Sequence, residues 1–468
     1  MLRSVWTQLW ITLVVATVLL AFYTSLGRQL IPLIETQKSE LESLLQQQLG
    51  LPVSVGTLEG DWNLLSPVVR LVDIQVGTDD EHLSVGRIEA ELDISASAFY
   101  FSPVFKRILV ENVRAPLSQK EDGQLFLGEQ PLINTANITD PKTDKADKKA
   151  TPRWLEWLGY QQAVILSDWE ITNARSSGSE TLLIRKVLWR NRGQQHALEG
   201  DVAWGREEIA DVYIGAQLKG PLWPWDDQEG QIYLRADEQQ WTRWIPEDLP
   251  RELSLPSLRG SMEGWLSIAN GDLDSIYVRG EVPELMLDAP AKQLVLTDGH
   301  LEISGERSDE DWHLSIRQEF TQNLPLNELR LSSVQLDEER AWHIGIPRAD
   351  LQDVSNFILD YNLLPERFSR YITNLEPEGL AESVRISLVP EVADTGERGV
   401  DIRADLSDVS TKAFIGIPAF TGADGHLHLQ PQGGVAHIDD PSMSMHLDGV
   451  YNPTWQLTDA SASFYWDI

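Results

Sequence analysis

Not one of the 468 residues is cysteine. That removes disulfides, Cys-ligated zinc sites and thiol catalysis together, and it fits an oxidising compartment, where a stray thiol is a hazard, without demonstrating one. Positive charge is scarce as well. Lys and Arg total 38 against 72 Asp and Glu, a formal net charge of −34, and a field of that sign repels phosphate backbones and argues against nucleic acid as a partner. The common chemical motifs are missing too: there is no P-loop, no G-x-G-x-x-G after a strand, no H-E-x-x-H and no G-x-S-x-G. No catalytic residue, metal site or cofactor is therefore expected. No run of alternating strands and helices appears, which disfavours a parallel α/β fold.

What is present begins with an apolar N-terminus. Val5 to Leu26 contains no charged residue, and about 20 apolar residues suffice to cross the hydrocarbon layer. Residues 1–27 are therefore predicted to be a transmembrane anchor, with Val5, Leu13, Val14, Leu19 and Leu20 in the span and Trp6, Trp10, Phe22 and Tyr23 toward its ends, where amphipathic rings favour the interface. A cleaved signal peptide fits less well, because the apolar stretch is too long and no clean A-x-A site follows. Arg3 precedes the span and acids dominate after it, so the N-terminus is placed in the cytoplasm and the bulk of the chain outside the inner membrane.

Residues 28–50 read as an amphipathic helix, with Leu30, Leu33, Ile34, Leu41, Leu44, Leu45 and Leu49 at helical spacing. Gly50 and Pro52 end it. From there the period changes to two. Val400, Ile402, Ala404 and Leu406 alternate with Asp401, Arg403 and Asp405, and Trp312, Leu314 and Ile316 alternate with His313, Ser315 and Arg317. One dry face and one charged face per strand is the signature of antiparallel sheet. The expected layout is a first β segment over 51–133, a flexible polar loop over 134–153 with too few aliphatic residues to order itself, and further β segments over 154–468. Short helices are expected near 238–245 and 351–373.

The tripeptide Arg-Ala-Asp occurs at 235–237, 348–350 and 403–405. In the first two an amphipathic stretch follows, which makes Asp237 and Asp350 candidate N-caps and the tripeptide a candidate repeat. Chance recurrence explains it equally well. His426 and His428 share a strand face near Asp424 and could both reach a metal. They also simply occupy the polar positions between Leu427 and Leu429, and no third ligand is committed. The 17 tryptophans are spread through the chain; ordinary packing accounts for most, and an apolar ligand channel is the functional alternative.

The opening "LGLPVSVGTLEGDW" leading to "SPVVRLVDIQVG" resembles the start of AsmA-like proteins, of the YhdP type. In the same order, "SMEGWLSIANGDL", "LLPERFSRYITNLEPEGLAESVRISL" and "IPAFTGADGHLHLQPQGG" are similar to that branch. Such proteins are much longer, and the resemblance implies that this chain matches their N-terminal portion. It also implies a mainly β fold: an elongated, twisted, largely antiparallel sheet curled into an apolar groove, anchored in the inner membrane of a Gram-negative envelope. The groove would carry phospholipid acyl chains toward the outer membrane and support its integrity, without enzymatic chemistry. Trp312, Leu314, Ile316, Val400, Ile402, Ala404 and Leu406 are the candidate groove residues. Alternation alone shows a dry face without showing what covers it, so a closed β-sandwich fits the residues as well. The other functions weighed are an envelope assembly or scaffold protein that binds outer-membrane or other envelope proteins through its β surface, and a periplasmic hydrolase, which lacks any motif.

Overall fold

The computed structural model describes residues 37–49, 51–63, 66–78, 81–119, 125–127, 130–133, 153–175, 178–205, 209–222, 227–242, 253–308, 311–336, 339–389, 399–415, 417–430, 433–447 and 453–467. The predicted anchor, residues 1–27, residues 28–36 and Gly50 of the predicted amphipathic helix, and nearly all of the polar loop lie outside the described residues. Among the described residues no helix is long and apolar enough to cross a membrane. The fold is mainly β with few helices, and the chain divides into two compact units, Met1–Ala236 with Ile268–Asp272, and Asp237–Ser267 with Leu273–Ile468. The division falls inside a strand, at a place the sequence does not mark.

The first unit opens with α1 (Lys38–Leu49), whose Leu45 packs with Leu51 onto the start of the sheet. Strands β1 (Val53–Asn63), β2 (Ser66–Thr78) and β3 (Glu81–Leu92) follow as an antiparallel meander. A short helix, α2 (Ile94–Tyr100), leads into β4 (Phe105–Gln119), which pairs with β3. After the small β5 (Leu125–Leu127) and β6 (Gln130–Ile133) comes α3 (Arg153–Tyr160), and then β7 (Ala163–Arg175). Strand β7 lies parallel to β4, the one parallel pair among the described ladders. A parallel neighbour needs a crossover of a dozen or more residues, and the connection holding the polar segment and α3 supplies it. The meander resumes through β8 (Gly178–Arg192), β9 (Gln195–Gly205), β10 (Ile209–Lys219) and β11 (Glu229–Gln240).

Strands β12 (Ser254–Ala269) and β13 (Asp272–Asp288), most of whose residues belong to the second unit, are joined through Asn270-Gly271, both at positive φ. Asn-Gly suits such a two-residue hairpin because both positions need φ above zero. Strands β14 (Gln293–Ser308), β15 (Asp311–Glu319), β16 (Glu328–Leu336) and β17 (Glu339–Asp350) continue the antiparallel ladder. Asp350 caps α4 (Leu351–Tyr361), its carboxylate accepting from the Asp353 N–H at 3.0 Å. Asn362, in the left-handed region, stops that helix, and α5 (Glu366–Leu375) begins after Pro365. The stretch 351–373 thus holds two helices, broken where proline cannot continue the ladder. The meander ends with β18 (Glu378–Val389), β19 (Gly399–Thr411), β20 (Ala419–Gln430), β21 (Gly433–His446) and β22 (Trp455–Asp467).

A second pattern runs through the strands and breaks their period of two. Leu71-Val72-Asp73, Val110-Glu111-Asn112, Leu166-Ser167-Asp168, Leu296-Thr297-Asp298, Leu406-Ser407-Asp408 and Leu457-Thr458-Asp459 each end in an Asp or Asn whose φ lies between 51° and 58°. Among non-glycine residues, Asp and Asn tolerate this left-handed state best. Except at Asp408, the register with the neighbouring strand runs on one-to-one through these positions, so no extra residue is inserted; the left-handed residue turns the strand in place, and side chains three apart, rather than two or four, return to the same face. Leu71 and Val110 accordingly pack against the cluster that holds Ile74 and Val113. In β1 and β3 the positions opposite are glycines. A Cβ on Gly56 would stand 2.9 Å from the Asp73 Cβ, and one on Gly86 would stand 2.8 Å from the Asn112 Cβ.

The Arg-Ala-Asp tripeptide, by contrast, is not a structural repeat. Asp350 ends a strand and caps a helix, but Arg403-Ala404-Asp405 lies in the middle of β19, and β11 runs on past Asp237 to Gln240. Asp237 is therefore no N-cap, and residues 238–240 of the expected 238–245 helix are strand; 243–245 lie outside the described residues. Tertiary pairing overrides the local helical pattern here. Glu238 meets Arg259 of β12 at 2.6 Å, the Trp241 N–H donates to the Leu258 carbonyl, and its indole N–H donates to the Gly260 carbonyl at 2.8 Å.

Opposite the apolar side of the first unit, Glu89 is 4% exposed and held by three guanidiniums. Arg70 Nε donates at 2.7 Å, Arg87 Nη2 at 2.5 Å, and Arg107 Nη2 to the other oxygen. Burial pushes this carboxyl up, but the three arginines outweigh it and hold its pKa below the usual glutamate value. A depressed carboxylate stabilises the fold above the unfolded pKa, and that stability is lost as pH falls through the folded value. Glu89→Gln should therefore flatten the loss of urea resistance below about pH 4.5 while lowering stability at pH 7; a parallel pH profile in the variant contradicts this. Gly86→Ala should lower stability by about 1–3 kcal/mol, because the methyl cannot displace a Cβ fixed to the facing backbone. Gly264→Ala, whose Cβ meets Val278 Cγ2 at an ordinary 3.6 Å, is the control and should shift the urea midpoint little.

Candidate functional site

Directly opposed residues of neighbouring strands share a face, so the register can be followed across each unit as a row. In the second unit Leu314 of β15 faces Leu331 of β16, which faces Ile344 of β17, then Ile386 of β18, Ile402 of β19 and Leu429 of β20. In the other direction the row passes Gly305 of β14 to Ile276 of β13. The two sets of candidate residues, far apart in sequence, therefore lie on one face. Ile316 sits in a parallel row with Ile303, Val278 and Leu329. Val400 closes a third, facing Leu388, which faces Trp342, which faces Ser333. The Ser333 Oγ accepts from the backbone N–H of Trp312 at 3.1 Å. Ala404 faces Leu427, and Leu406 lies between Ala381 and Gly425.

The first unit has the same construction, which sequence reading did not single out. Val55, Ile74, Val85, Val113, Trp169, Ile184, Val202, Val212 and Ala236 form one unbroken row over nine strands. Across the line of left-handed residues, Leu58, Leu71, Ile88, Val110, Leu166 and Val187 form a second. Trp169 joins the apolar row at no polar cost, since its indole N–H donates to the Val110 carbonyl at 3.0 Å. The signal that would have found these rows is the aliphatic-x-Asp/Asn triplet with its last residue left-handed, which shifts the alternation by one in every strand at the same place.

Burial decides between open face and sandwich. When two sheets stack, the large aliphatic side chains of their inner faces interdigitate and lose contact with water. Here the largest fully buried side chains among the described residues are Gln161, Gln228, Val104 and Ser333, none of them Leu, Ile, Phe or Trp. Most rows are half-buried, and Trp342, Leu388 and Val400 are 42%, 42% and 39% exposed. The buried clusters are small: Val53, Val55, Ile74, Val76, Val85 and Val113 in the first unit, and Ala423, Ile438 and Met443 in the second. Among the described residues of each unit the apolar rows thus lack a covering sheet.

The other side of the strands is polar and cross-braced. Arg317 reaches Glu302 at 3.4 Å and Glu328 at 3.7 Å, and Arg403 reaches Asp401 at 3.0 Å. His426 and His428 do not converge: Nδ1 of the first contacts Asp405 at 2.7 Å, and Nε2 of the second contacts Asp401 at 2.5 Å. Although burial pushes the Asp401 carboxyl up, hydrogen bonds from His428, Gln430 and Arg403 bring it below its ordinary value. Among the described residues no group of His, Asp or Glu stands together as a metal site. A depression of about 860 Å³ on the second unit is lined by Trp265, Tyr277, Ser304, Ser315, Arg330 and Arg385 among others. Tyr277, Ser304, Ser315 and Arg330 are successive partners on the polar side.

No solved structure matches the chain. The protein named "Intermembrane phospholipid transporter YhdP" from Escherichia coli (strain K12) is 22% identical over 270 residues, covering 55% of this chain and 19% of that protein. The chain thus aligns with about a fifth of the length of this relative. The family described as "YhdP protein" matches residues 1–468, and the chain belongs to the YhdP family.

Proposed function

We propose that this chain is a non-enzymatic conduit for phospholipid acyl chains. On this reading residues 1–27 hold it in the inner membrane with the N-terminus in the cytoplasm. The strands lie in the periplasm, and the apolar rows form the floor of a groove along which lipid moves toward the outer membrane, supporting that membrane's integrity. The observation that carries the reading is the run of half-exposed aliphatic rows in the second unit, which no second sheet covers among the described residues. The E. coli relative, named as an intermembrane phospholipid transporter, supports it.

The physical fit is direct. Eight strands about 4.8 Å apart make the Ile276-to-Leu429 row about 34 Å long, longer than the roughly 30 Å hydrocarbon layer of a bilayer. A lipid tail gains about 0.8 kcal/mol per CH₂ buried and needs no polar ligand to be recognised. That is compatible with a site made of Leu, Ile and Val side chains and no motif.

Ile402 supplies the test, since it lies between Ile386 and Leu429 while its neighbour Arg403 belongs to the polar face. A photo-crosslinking residue at 402 should capture phospholipid in cells, and one at 403 should not. Ile402→Asp should leave the protein folded, with a loss of only about 1–2 kcal/mol, because the carboxylate on an uncovered face reaches water; lipid transfer should fail. A protein adduct at 402 in place of lipid supports instead a scaffold that binds envelope proteins through this face. Unfolding by several kcal/mol, as for an uncompensated buried charge, with no lipid adduct, contradicts the conduit.

A further inference from the structure

The connection from β3 to β4 is not used by the acyl-chain path, yet it has the most exposed aromatic residues of the first unit. Phe99, Tyr100 and Phe101 are 76%, 46% and 96% exposed. Aromatic side chains bury large areas wherever a fold lets them, and here the fold holds them out. The support beneath is rigid. Asp93 caps α2, accepting from the Ala96 N–H at 3.0 Å and from Gln162 Nε2 at 2.7 Å. Ser97 Oγ accepts from the Val104 N–H at 2.9 Å. The fully buried Gln161 accepts from the Phe105 N–H at 2.8 Å and donates to the Trp157 carbonyl at 2.7 Å. Tyr100 stacks on Tyr160 at 4.7 Å, while Phe101 takes φ 51°, a state unfavourable for a bulky residue. Among the described residues Phe99 and Phe101 stay largely uncovered, and an exposed apolar patch on a braced loop marks an interaction surface.

We propose that Phe99 and Phe101 form an interfacial foot that enters the headgroup boundary of the bilayer holding the chain's own N-terminal segment. The proposal rests on the reading of residues 1–27 as a membrane anchor. Two observations favour a bilayer over a protein partner. Ile94 to Val104, "ISASAFYFSPV", contains no charged residue in a chain that is 24% charged, so the loop enters a membrane without stripping water from an ion. Aromatic rings are also the side chains that favour the interface.

The absence of cysteine allows one labelled position at a time. The full chain, reconstituted into vesicles of phosphatidylethanolamine and phosphatidylglycerol with brominated acyl chains, would carry an environment-sensitive fluorophore at Ser102→Cys or, as a reference, at Leu13→Cys. The expected result is bromine quenching at both positions, with the signal at 102 lost, and its emission returned to the water-exposed wavelength, when Phe99→Ser and Phe101→Ser are added. Both phenylalanines are exposed, so this variant should keep its fold, checked by circular dichroism. Quenching at 13 without quenching at 102 overturns the foot and leaves the anchor standing. Quenching at 102 that survives removal of both phenylalanines also overturns it. Quenching at 102 alone overturns the anchor and, with it, a foot in the bilayer that holds the N-terminal segment, and quenching at neither position overturns both.

Discussion

Backbone hydrogen bonds between neighbouring strands carry this structure, because among the described residues the closed hydrophobic core, the usual source of stability, is reduced to small clusters. Every buried N–H and C=O must find a partner, and in a single layer only the adjacent strand can provide one. Register is then the quantity the sequence has to protect. A slip of one residue would move a strand's aliphatic set to the charged side. The unbroken rows from Val55 to Ala236 and from Ile276 to Leu429 show that no such slip accumulates over nine and eight strands.

The left-handed Asp and Asn residues belong to the same constraint. Long strands twist, and a left-handed residue breaks the period of two where it stands. Placed singly, such a break would put the apolar set of one strand out of phase with its neighbours. Here Asp73, Asn112 and Asp168 fall between the same two rows on β2, β4 and β7, the register between the strands is unbroken, and Gly56 and Gly86 stand opposite where a Cβ would collide. The strands change phase together and the face survives. Asp298, Asp408 and Asp459 repeat the device in the second unit.

Much of this was legible in the sequence. The alternation at 312–317 and 400–406 identifies which side chains share a face, because period two is a local property of an extended chain. It could not show that Leu314 and Ile402 belong to one row, since that depends on four intervening registers. Nor could it show the face to be uncovered, since a sandwich demands the same alternation. The aliphatic-x-Asp/Asn triplet does not stand out from the alternating strands around it. A search for strict period two treats Leu71 and Ile74 as a mismatch, whereas "LVDI", "VENV" and "LSDW" all place an Asp or Asn at the break. The three Arg-Ala-Asp tripeptides misled in the opposite direction, because an identical triplet can stand mid-strand or at a strand end, and only the partner strand decides which. The same competition turned Glu238 to Gln240 into strand when the facing backbone of β12 offered hydrogen bonds.

A sheet with one bare apolar face ought to associate with itself, and the rest of the composition bears on why it need not. The polar side is laced with ion pairs, each worth little alone, and the chain as a whole has a net charge of −34. Two such chains approaching face to face must bring those fields together, and like-charge repulsion opposes them at every orientation. A phospholipid tail meets no such opposition, being uncharged along its length. On the proposed reading, the acidity that makes nucleic acid an improbable partner also helps keep the apolar rows free for lipid, and composition and register then act on the same face from opposite sides of the sheet.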